Sequence, residues 1–251
     1  MYISDKFVFT ELHKTAGTHI GKWLSILTAG EQIGKHNIIP LEYRDRFILG
    51  SIRNPWDWYV SLWGYGCDHK GSVWQQTTER ANLRYYWQQL PKEMGRDYIS
   101  SYLFIKQITA DMSKPLATWR EAYKDSSDPN CFKLWLKLIF SNNRKFDLRE
   151  GYGFSPISVN SGILTYRFLK LFTNLGPDLY SDNKIQLETE LGELWKKHKI
   201  ANFFIRMENL EHDLILAMKS AGVSISLKDA SALKDASKKK TNLSSRFPAN
   251  H

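Results

Sequence analysis

Apolar residues near the start of the chain form two short runs, each followed by an apolar stripe at helical spacing. The runs Phe7–Thr10 and Phe47–Arg53 predict buried strands. The stripes that follow contain Ile20, Trp23, Leu24 and Leu27 after the first run, and Trp56, Tyr59, Val60 and Trp63 after the second. Because successive strand–helix units favour a parallel sheet, the sequence predicts an α/β fold with a central parallel sheet and flanking helices.

Turn and cap residues place further elements along the chain. Asn54 suits a helix N-cap and Pro55 the first helical position, so the second helix is predicted to begin there. Near the end, Phe203–Met207 predicts a strand, and the helix after it is closed by Gly222. The middle is helix-rich, with four apolar stripes: Leu83, Tyr86, Trp87 and Leu90; Phe132, Trp135, Leu136 and Ile139; Leu164, Phe168, Leu171 and Phe172; Leu187, Leu191, Leu194 and Trp195.

No repeat or clear linker divides the 251 residues, so the sequence predicts a single domain over residues 1–251. The tail from about residue 228 is rich in Lys, Ser and Ala. The chain stops without a clear closing element, which is compatible with a missing C-terminal segment. With 42% hydrophobic residues, a sizeable core is expected, and most of the nine tryptophans are expected to pack in it.

The formal net charge of +9 favours anionic partners such as nucleotides, acidic glycans, nucleic acid or a membrane surface. The N-terminus lacks the pattern of a signal peptide, and no apolar run is long enough to span a bilayer. Two widely separated cysteines, Cys67 and Cys131, favour free thiols in a reducing, cytoplasmic setting. No cluster of ligands at metal-binding spacing is present in the sequence, and no metal is expected.

A small polar turn joins the first predicted strand to the first helix. It carries Lys14, Thr15, Gly17 and Thr18, which offer a positive charge, two hydroxyls and close access to backbone N–H groups. Such a turn is typical of anion binding. The Walker pattern is absent because the lysine precedes the glycine, which argues against an ordinary kinase or ATPase.

Three segments in order resemble the PAPS-dependent sulfotransferases, where PAPS is 3′-phosphoadenosine 5′-phosphosulfate. His13–Thr18 is similar to the family's 5′-phosphosulfate loop, Ile52–Trp63 to its 3′-phosphate segment, and Ile205–Leu214 to its late strand and helix. The three segments cover roughly a quarter of the chain. The resemblance implies a P-loop NTPase-like sulfotransferase fold. Two features depart from the family pattern: Ala16 stands where many members have Gly, and the late Arg-Lys-Gly motif is missing.

The resemblance also implies roles for individual residues. Lys14 would stabilise the leaving bridging oxygen, and Arg53 with Ser61 would bind the 3′-phosphate. The 5′-phosphate would be held by the turn and the first residues of the helix: Lys14, Thr15, Ala16, Gly17, Thr18 and His19. The cosubstrate would be PAPS and the product 3′,5′-diphosphoadenosine, with no metal.

The acceptor hydroxyl must lose its proton when it receives the sulfuryl group, so a general base is expected. His36 is the first candidate, His69 and Glu11 are others, and His13 and His19 are more easily assigned to phosphate contact or packing. The acceptor is expected to be a carbohydrate or polysaccharide first and a phenol or small alcohol second. Two alternatives stay open, a P-loop nucleotide kinase or NTPase and a basic nucleic-acid-binding protein, although the lysines are scattered except in the tail.

Overall fold

The structure is a computed structural model and describes residues 1–81, 98–176, 179 and 191–226. The predicted helical stripe Leu83–Leu90, residue Leu187 and the tail from residue 228 lie outside the described residues. The described chain forms two compact units. The first contains residues 1–59, 167–176 and 191–226, and the second contains residues 60–81, 98–166 and 179.

The first unit contains a sheet of five strands in the order β3-β1-β2-β4-β5. The strands are β1 (Tyr2–Ser4), β2 (Phe7–Glu11), β3 (Gly30–Gln32), β4 (Phe47–Ile52) and β5 (Phe203–Arg206). Strand β4 pairs in parallel with both β2 and β5, whereas β1 is antiparallel to β2 and β3. The α/β fold and the three predicted strands are therefore confirmed, but the sheet is mixed, because β1 and β3 add an antiparallel edge.

Ten helices are described: α1 (Gly17–Leu27), α2 (Pro55–Cys67), α3 (Ser72–Thr78), α4 (Tyr98–Met112), α5 (Leu116–Ala122), α6 (Pro129–Ile139), α7 (Ile157–Asn160), α8 (Ile163–Phe172), α9 (Leu191–His198) and α10 (Leu210–Ser220). Single 3₁₀ turns lie at Leu41–Tyr43, Lys145–Leu148, Tyr152–Phe154 and Met207–Asn209. Helix α2 begins at the predicted proline, and the Asn54 side chain accepts the N–H of Trp56 at 2.9 Å. Gly222 follows α10 with φ of 71°, as predicted for a C-terminal cap.

Alternate residues of the strands supply the two faces of the sheet in the first unit. One face buries Phe7, Phe9, Leu49 and Ile205 together with apolar residues of α1 and α10. On the other face, Phe204 packs against aromatic rings of α8 and α9, namely Phe168, Phe172 and Trp195. Among the described residues, helices pack on both faces of the sheet, which leaves its edges and strand ends for a ligand.

The second unit is helical in its described part, and its core is aromatic. Trp119, Tyr123 and Trp135 are almost fully buried, and the indole N–H of Trp135 donates to the Tyr123 hydroxyl at 2.8 Å. Trp63 donates its indole N–H to the carbonyl of Ala122 at 2.8 Å. Each of these buried donors is therefore satisfied. No helix among the described residues is long and apolar enough to cross a membrane.

The apolar stripe predicted for α2 is partly wrong. Trp56 is 74% exposed, whereas Trp58 is fully buried beside Tyr59. The physical reason is that the Trp58 indole N–H donates to the carbonyl of His13, so this ring is buried with its polar atom paired. Trp63 is buried as predicted.

Candidate anion-binding site

The turn between β2 and α1 has an unusual backbone. Lys14 and Ala16 both adopt left-handed conformations, with φ of 63° and 59°. Non-glycine residues occupy this region rarely, and such strain is concentrated at functional sites. Turns in which left-handed residues alternate with others direct successive N–H groups into one concave surface, which suits an anion.

Helix α1 begins at Gly17, directly after the strained turn. Its N-cap residue, Ala16, supplies no side-chain cap, and no acidic residue lies in its first turn. The first hydrogen bonds inside the helix run from the N–H groups of His19 and Ile20 to the carbonyl of Ala16, at 2.9 and 3.0 Å. The helix therefore has no acidic residue in its own first turn, but the buried carboxylate of Glu11, at the end of β2, lies against Gly17.

Thr15 fastens the turn to the neighbouring strand. Its side chain is 1% exposed, and Oγ1 lies 2.6 Å from both the carbonyl oxygen of Leu12 and Oγ of Ser51 in β4. Because the carbonyl can only accept, the Thr15 hydroxyl donates to Leu12 and accepts from Ser51. In this conformation the Thr15 hydroxyl is occupied, and it joins the segment that follows β2 to Ser51 of β4.

Arg53 lies beside the same turn. Arg53 follows the carboxyl end of β4, and its Nη1 donates to the carbonyl oxygen of Lys14 over a long contact of 3.5 Å. Burial lowers the pKa of Arg53, and the nearby carboxylates of Asp57 and Glu208 oppose that shift. Ser61, the other predicted 3′-phosphate residue, is half-buried on α2 in the second unit, and its role stays a prediction.

Two histidine rings lie beside the turn. His13 and His36 stack with their ring centroids 3.6 Å apart and their planes 13° from parallel. Nδ1 of His36 lies 3.0 Å from the carbonyl oxygen of Glu11. Since that oxygen only accepts, Nδ1 carries the hydrogen, and the neutral ring presents its lone pair at Nε2. Burial lowers the pKa of His36, which favours this neutral form.

His13 is held neutral more strongly than His36. Burial lowers its pKa to about 2, and the positive charges of Arg167 and Lys170 and the His36 ring add to the shift. Arg167 belongs to α8 and is 2% exposed. The sequence did not predict this buried cation, because the pattern of α8 is an apolar stripe of leucines and phenylalanines. Positive side chains of α8 thus lie near the turn that carries Lys14.

Thr18 and His19 occupy the first turn of α1. Thr18 is exposed, and its hydroxyl accepts from Nζ of Lys35 at 2.9 Å, so a second lysine lies at the helix N-terminus. His19 accepts the indole N–H of Trp23 at Nε2 over 3.0 Å, and burial lowers its pKa. A neutral His19 therefore carries its hydrogen at Nδ1.

The other candidate bases lie in different settings. Glu11 ends β2 and is 4% exposed, and its buried Oε1 has no hydrogen-bond partner among the described residues. His69 is exposed in the second unit, where its ring stacks on Trp74 with centroids 5.2 Å apart. His36 is the candidate with a defined lone pair beside the turn.

Comparison of the chain with known families, with curated proteins and with solved structures finds no match in any of the three.

Proposed function

We propose that this chain is a sulfotransferase that transfers the sulfuryl group of PAPS to a hydroxyl group, on a P-loop NTPase-like fold. The observation that carries the proposal is the contact between Arg53 and the carbonyl of Lys14. It joins two segments, each at the carboxyl end of one of two neighbouring parallel strands, which is where open α/β sheets bind ligands. Those two segments resemble the 5′-phosphosulfate loop and the 3′-phosphate segment of the sulfotransferases.

The residues of the site suit a ligand with two separate phosphate groups. The strained turn before α1 offers N–H groups to one phosphate, beside the Glu11 carboxylate that lies against Gly17. Arg53 offers a planar set of donors to the other, with Ser61 as its proposed partner. A nucleotide with phosphates at the 3′ and 5′ positions makes use of both, whereas ATP leaves the Arg53 position unused.

PAPS would supply an activated sulfur atom joined to the 5′-phosphate through a bridging oxygen. The acceptor oxygen forms a new bond to sulfur as the bridging bond breaks and its electron pair stays on the phosphate. Lys14 would donate a hydrogen bond to that leaving oxygen, and Nε2 of His36 would take the proton of the acceptor hydroxyl. Positioning and charge stabilisation supply most of the acceleration in transfers of this kind.

The proposed acceptor is a hydroxyl of a carbohydrate or polysaccharide, with a phenol or small alcohol as the second choice. The net charge of +9 favours a substrate that carries negative groups. Positive side chains beyond the donor segments, Lys35, Arg167 and Lys170, lie around the turn and its histidines. An acidic glycan would meet a complementary charge there.

The test is thermal unfolding in the presence of 3′,5′-diphosphoadenosine, 5′-AMP or Mg-ATP. A ligand at a hundred times its Kd adds about 2.7 kcal/mol to the free energy of unfolding. We expect stabilisation by the bisphosphate that exceeds that by 5′-AMP, and its loss in Arg53→Ala. Arg120→Ala is the matched control, because Arg120 is exposed on α5 in the second unit.

Equal or greater stabilisation by Mg-ATP would replace the proposal with a kinase or NTPase. No stabilisation by any of the three nucleotides would overturn the assignment of a nucleotide site. A positive result leads directly to an activity assay with labelled PAPS and a panel of glycans and phenols, in which transfer of the label identifies the acceptor class.

A further inference from the structure

Glu208 connects the end of β5 to the residue that follows Arg53. It lies in the 3₁₀ turn Met207–Asn209, directly after β5. Its Oε1 accepts the backbone N–H of Asn54 at 2.5 Å, across 154 positions of sequence. Strands β4 and β5 are parallel neighbours with Ile52 opposite Arg206, so the bond joins the carboxyl ends of two adjacent strands.

The segment that carries Glu208 is itself firmly anchored. Arg206 bonds Asp213 of α10 through Nε at 2.7 Å, through Nη2 at 2.9 Å and through its backbone N–H at 3.0 Å. Asp213 is 1% exposed, and the Arg206 guanidinium lowers the pKa of this carboxyl to about 2. The turn between β5 and α10 is therefore braced on both sides of Glu208.

The peptide that Glu208 holds directly follows Arg53. Asn54 also caps α2, since its side chain accepts the N–H of Trp56 and its carbonyl accepts the N–H of Trp58, both at 2.9 Å. A hydrogen bond that an N–H donates to a carboxylate is charge-assisted and stronger than a neutral one. Three bonds thus fix the residue next to Arg53, and the bond from Glu208 is the one that ties it to another strand.

We propose that Glu208 is a positioning residue for recognition of the 3′-phosphate, acting through the Asn54 peptide on Arg53. The inference rests on the proposed function, because it assigns Arg53 to that phosphate. Through this role Glu208 determines the preference for a 3′,5′-bisphosphate over a 5′-monophosphate. Glu208 does so without contacting the phosphate, whose negative charge it shares.

The experiment compares Glu208→Ala and Glu208→Gln with the wild-type chain by calorimetric titration with 3′,5′-diphosphoadenosine and with 5′-AMP. Glutamine keeps a carbonyl oxygen that accepts the Asn54 N–H, and alanine removes it. We expect Glu208→Ala to weaken bisphosphate binding about tenfold while 5′-AMP binding changes by less than about twofold. Glu208→Gln should restore the preference to within about threefold of wild type. Glu193→Ala, an exposed carboxylate of the same unit, should leave both affinities unchanged.

The outcomes separate this inference from the proposed function. If wild type shows no preference for the bisphosphate, the proposed function fails, and the inference that depends on it fails as well. If wild type shows the preference and Glu208→Ala retains it, only the role of Glu208 is overturned. Equal loss of both nucleotides in Glu208→Ala, or failure of Glu208→Gln to restore the preference, also overturns it, because a general effect on folding or on charge would then explain the result.

Discussion

The carboxylate of Glu11 lies against the α carbon of Gly17, so closely that a methyl group on residue 17 would stand 1.2 Å from Oε2. Glu11 is the last residue of β2 and Gly17 the first residue of α1. The glycine was expected from the sequence to let a phosphate approach the backbone. The structure adds a second reason for it, since the buried carboxylate leaves no room for a side chain at this position.

Replacing Gly17 with alanine should therefore destabilise the chain, although alanine normally favours a helix. The methyl group would force Glu11 or the turn to move, and overpacking of this kind costs about 1–3 kcal/mol. The free energy of unfolding in urea measures the loss.

The control for this substitution is Gly192→Ala in α9, where an added methyl group meets nothing within 4 Å. That change should be neutral or stabilising by up to about 1 kcal/mol. The double variant Gly17→Ala with Glu11→Ala should recover part of the loss, since contacting residues are not additive. Equal effects of Gly17→Ala and Gly192→Ala would show that the Glu11 contact is not maintained in solution.

Thr15→Val tests the bond between the turn and β4. Valine has nearly the same shape but removes the hydroxyl, so the buried Ser51 side chain and the carbonyl of Leu12 each lose a partner. A loss of about 1–3 kcal/mol in the free energy of unfolding is expected. Thr109→Val, at an exposed position of α4, is the control and should change stability by less than about 0.5 kcal/mol. A loss no larger than that of the control would contradict the anchoring role of Thr15.

The central strands were predictable because their residues are buried without interruption. All five residues of β2 and the inner four of β4 are buried, and continuous apolar runs are typical of parallel strands. Strands β1 and β3 have three residues each, and β3 consists of exposed Gly, Glu and Gln. β3 forms because β1 lies beside it, and the residues of β3 alone have no pattern that predicts a strand.

The candidate site, like the sheet, has one part that the sequence predicts and another part that it does not. Lys14 and Arg53 follow the ends of two predicted parallel strands, so their proximity could be inferred from strand order. Two other contacts join loops that are distant in sequence. His13 stacks on His36, and the Asn54 N–H donates to Glu208. Loops have no periodic pattern of apolar residues, so the sequence does not predict these contacts.

The second unit holds a buried ion pair whose removal should be costly. Nζ of Lys114 is bound to Oδ1 of Asp111 at 2.6 Å and to the carbonyls of Gln76 and Glu79 at 2.6 and 3.1 Å. Arg149 adds a contact to the same Asp111 oxygen at 2.8 Å. Lys114→Met should destabilise the chain by about 1–3 kcal/mol, because the carbonyls of Gln76 and Glu79 lose this donor while Asp111 keeps its contact with Arg149.

Urea unfolding measures the effect of Lys114→Met. Lys124→Met is the control, since it breaks an exposed pair with Glu121 of the kind that contributes less than about 1 kcal/mol. Similar losses in the two variants would show that the Lys114 pair is no more important than a surface pair.

His13 should make stability depend on pH below neutrality. Its pKa is about 2 in the folded chain and near 6.5 when exposed on unfolding, so between these values the unfolded chain binds the additional proton. Stability contributed by His13 is complete above pH 6.5 and falls as the pH decreases, by at most about 1.4 kcal/mol per pH unit. His13→Phe keeps a flat ring against His36 and should flatten the pH dependence between pH 7 and 5. A His13→Phe slope equal to wild type would refute the prediction.

His36→Gln tests the proposed base separately from donor binding. The Nδ1 hydrogen is directed at the carbonyl of Glu11, so Nε2 is the nitrogen available to take a proton, and glutamine cannot take one. With labelled PAPS and an accepted glycan, turnover should fall about 10²–10⁴-fold while the affinity for 3′,5′-diphosphoadenosine stays unchanged.

Burial lowers the pKa of His36, so the wild-type rate should persist below pH 6.5 before it falls as Nε2 becomes protonated. This decrease in rate at acid pH should be absent from His36→Gln. His69→Gln provides the comparison: loss of turnover there, with His36→Gln active, would assign the base to His69 instead.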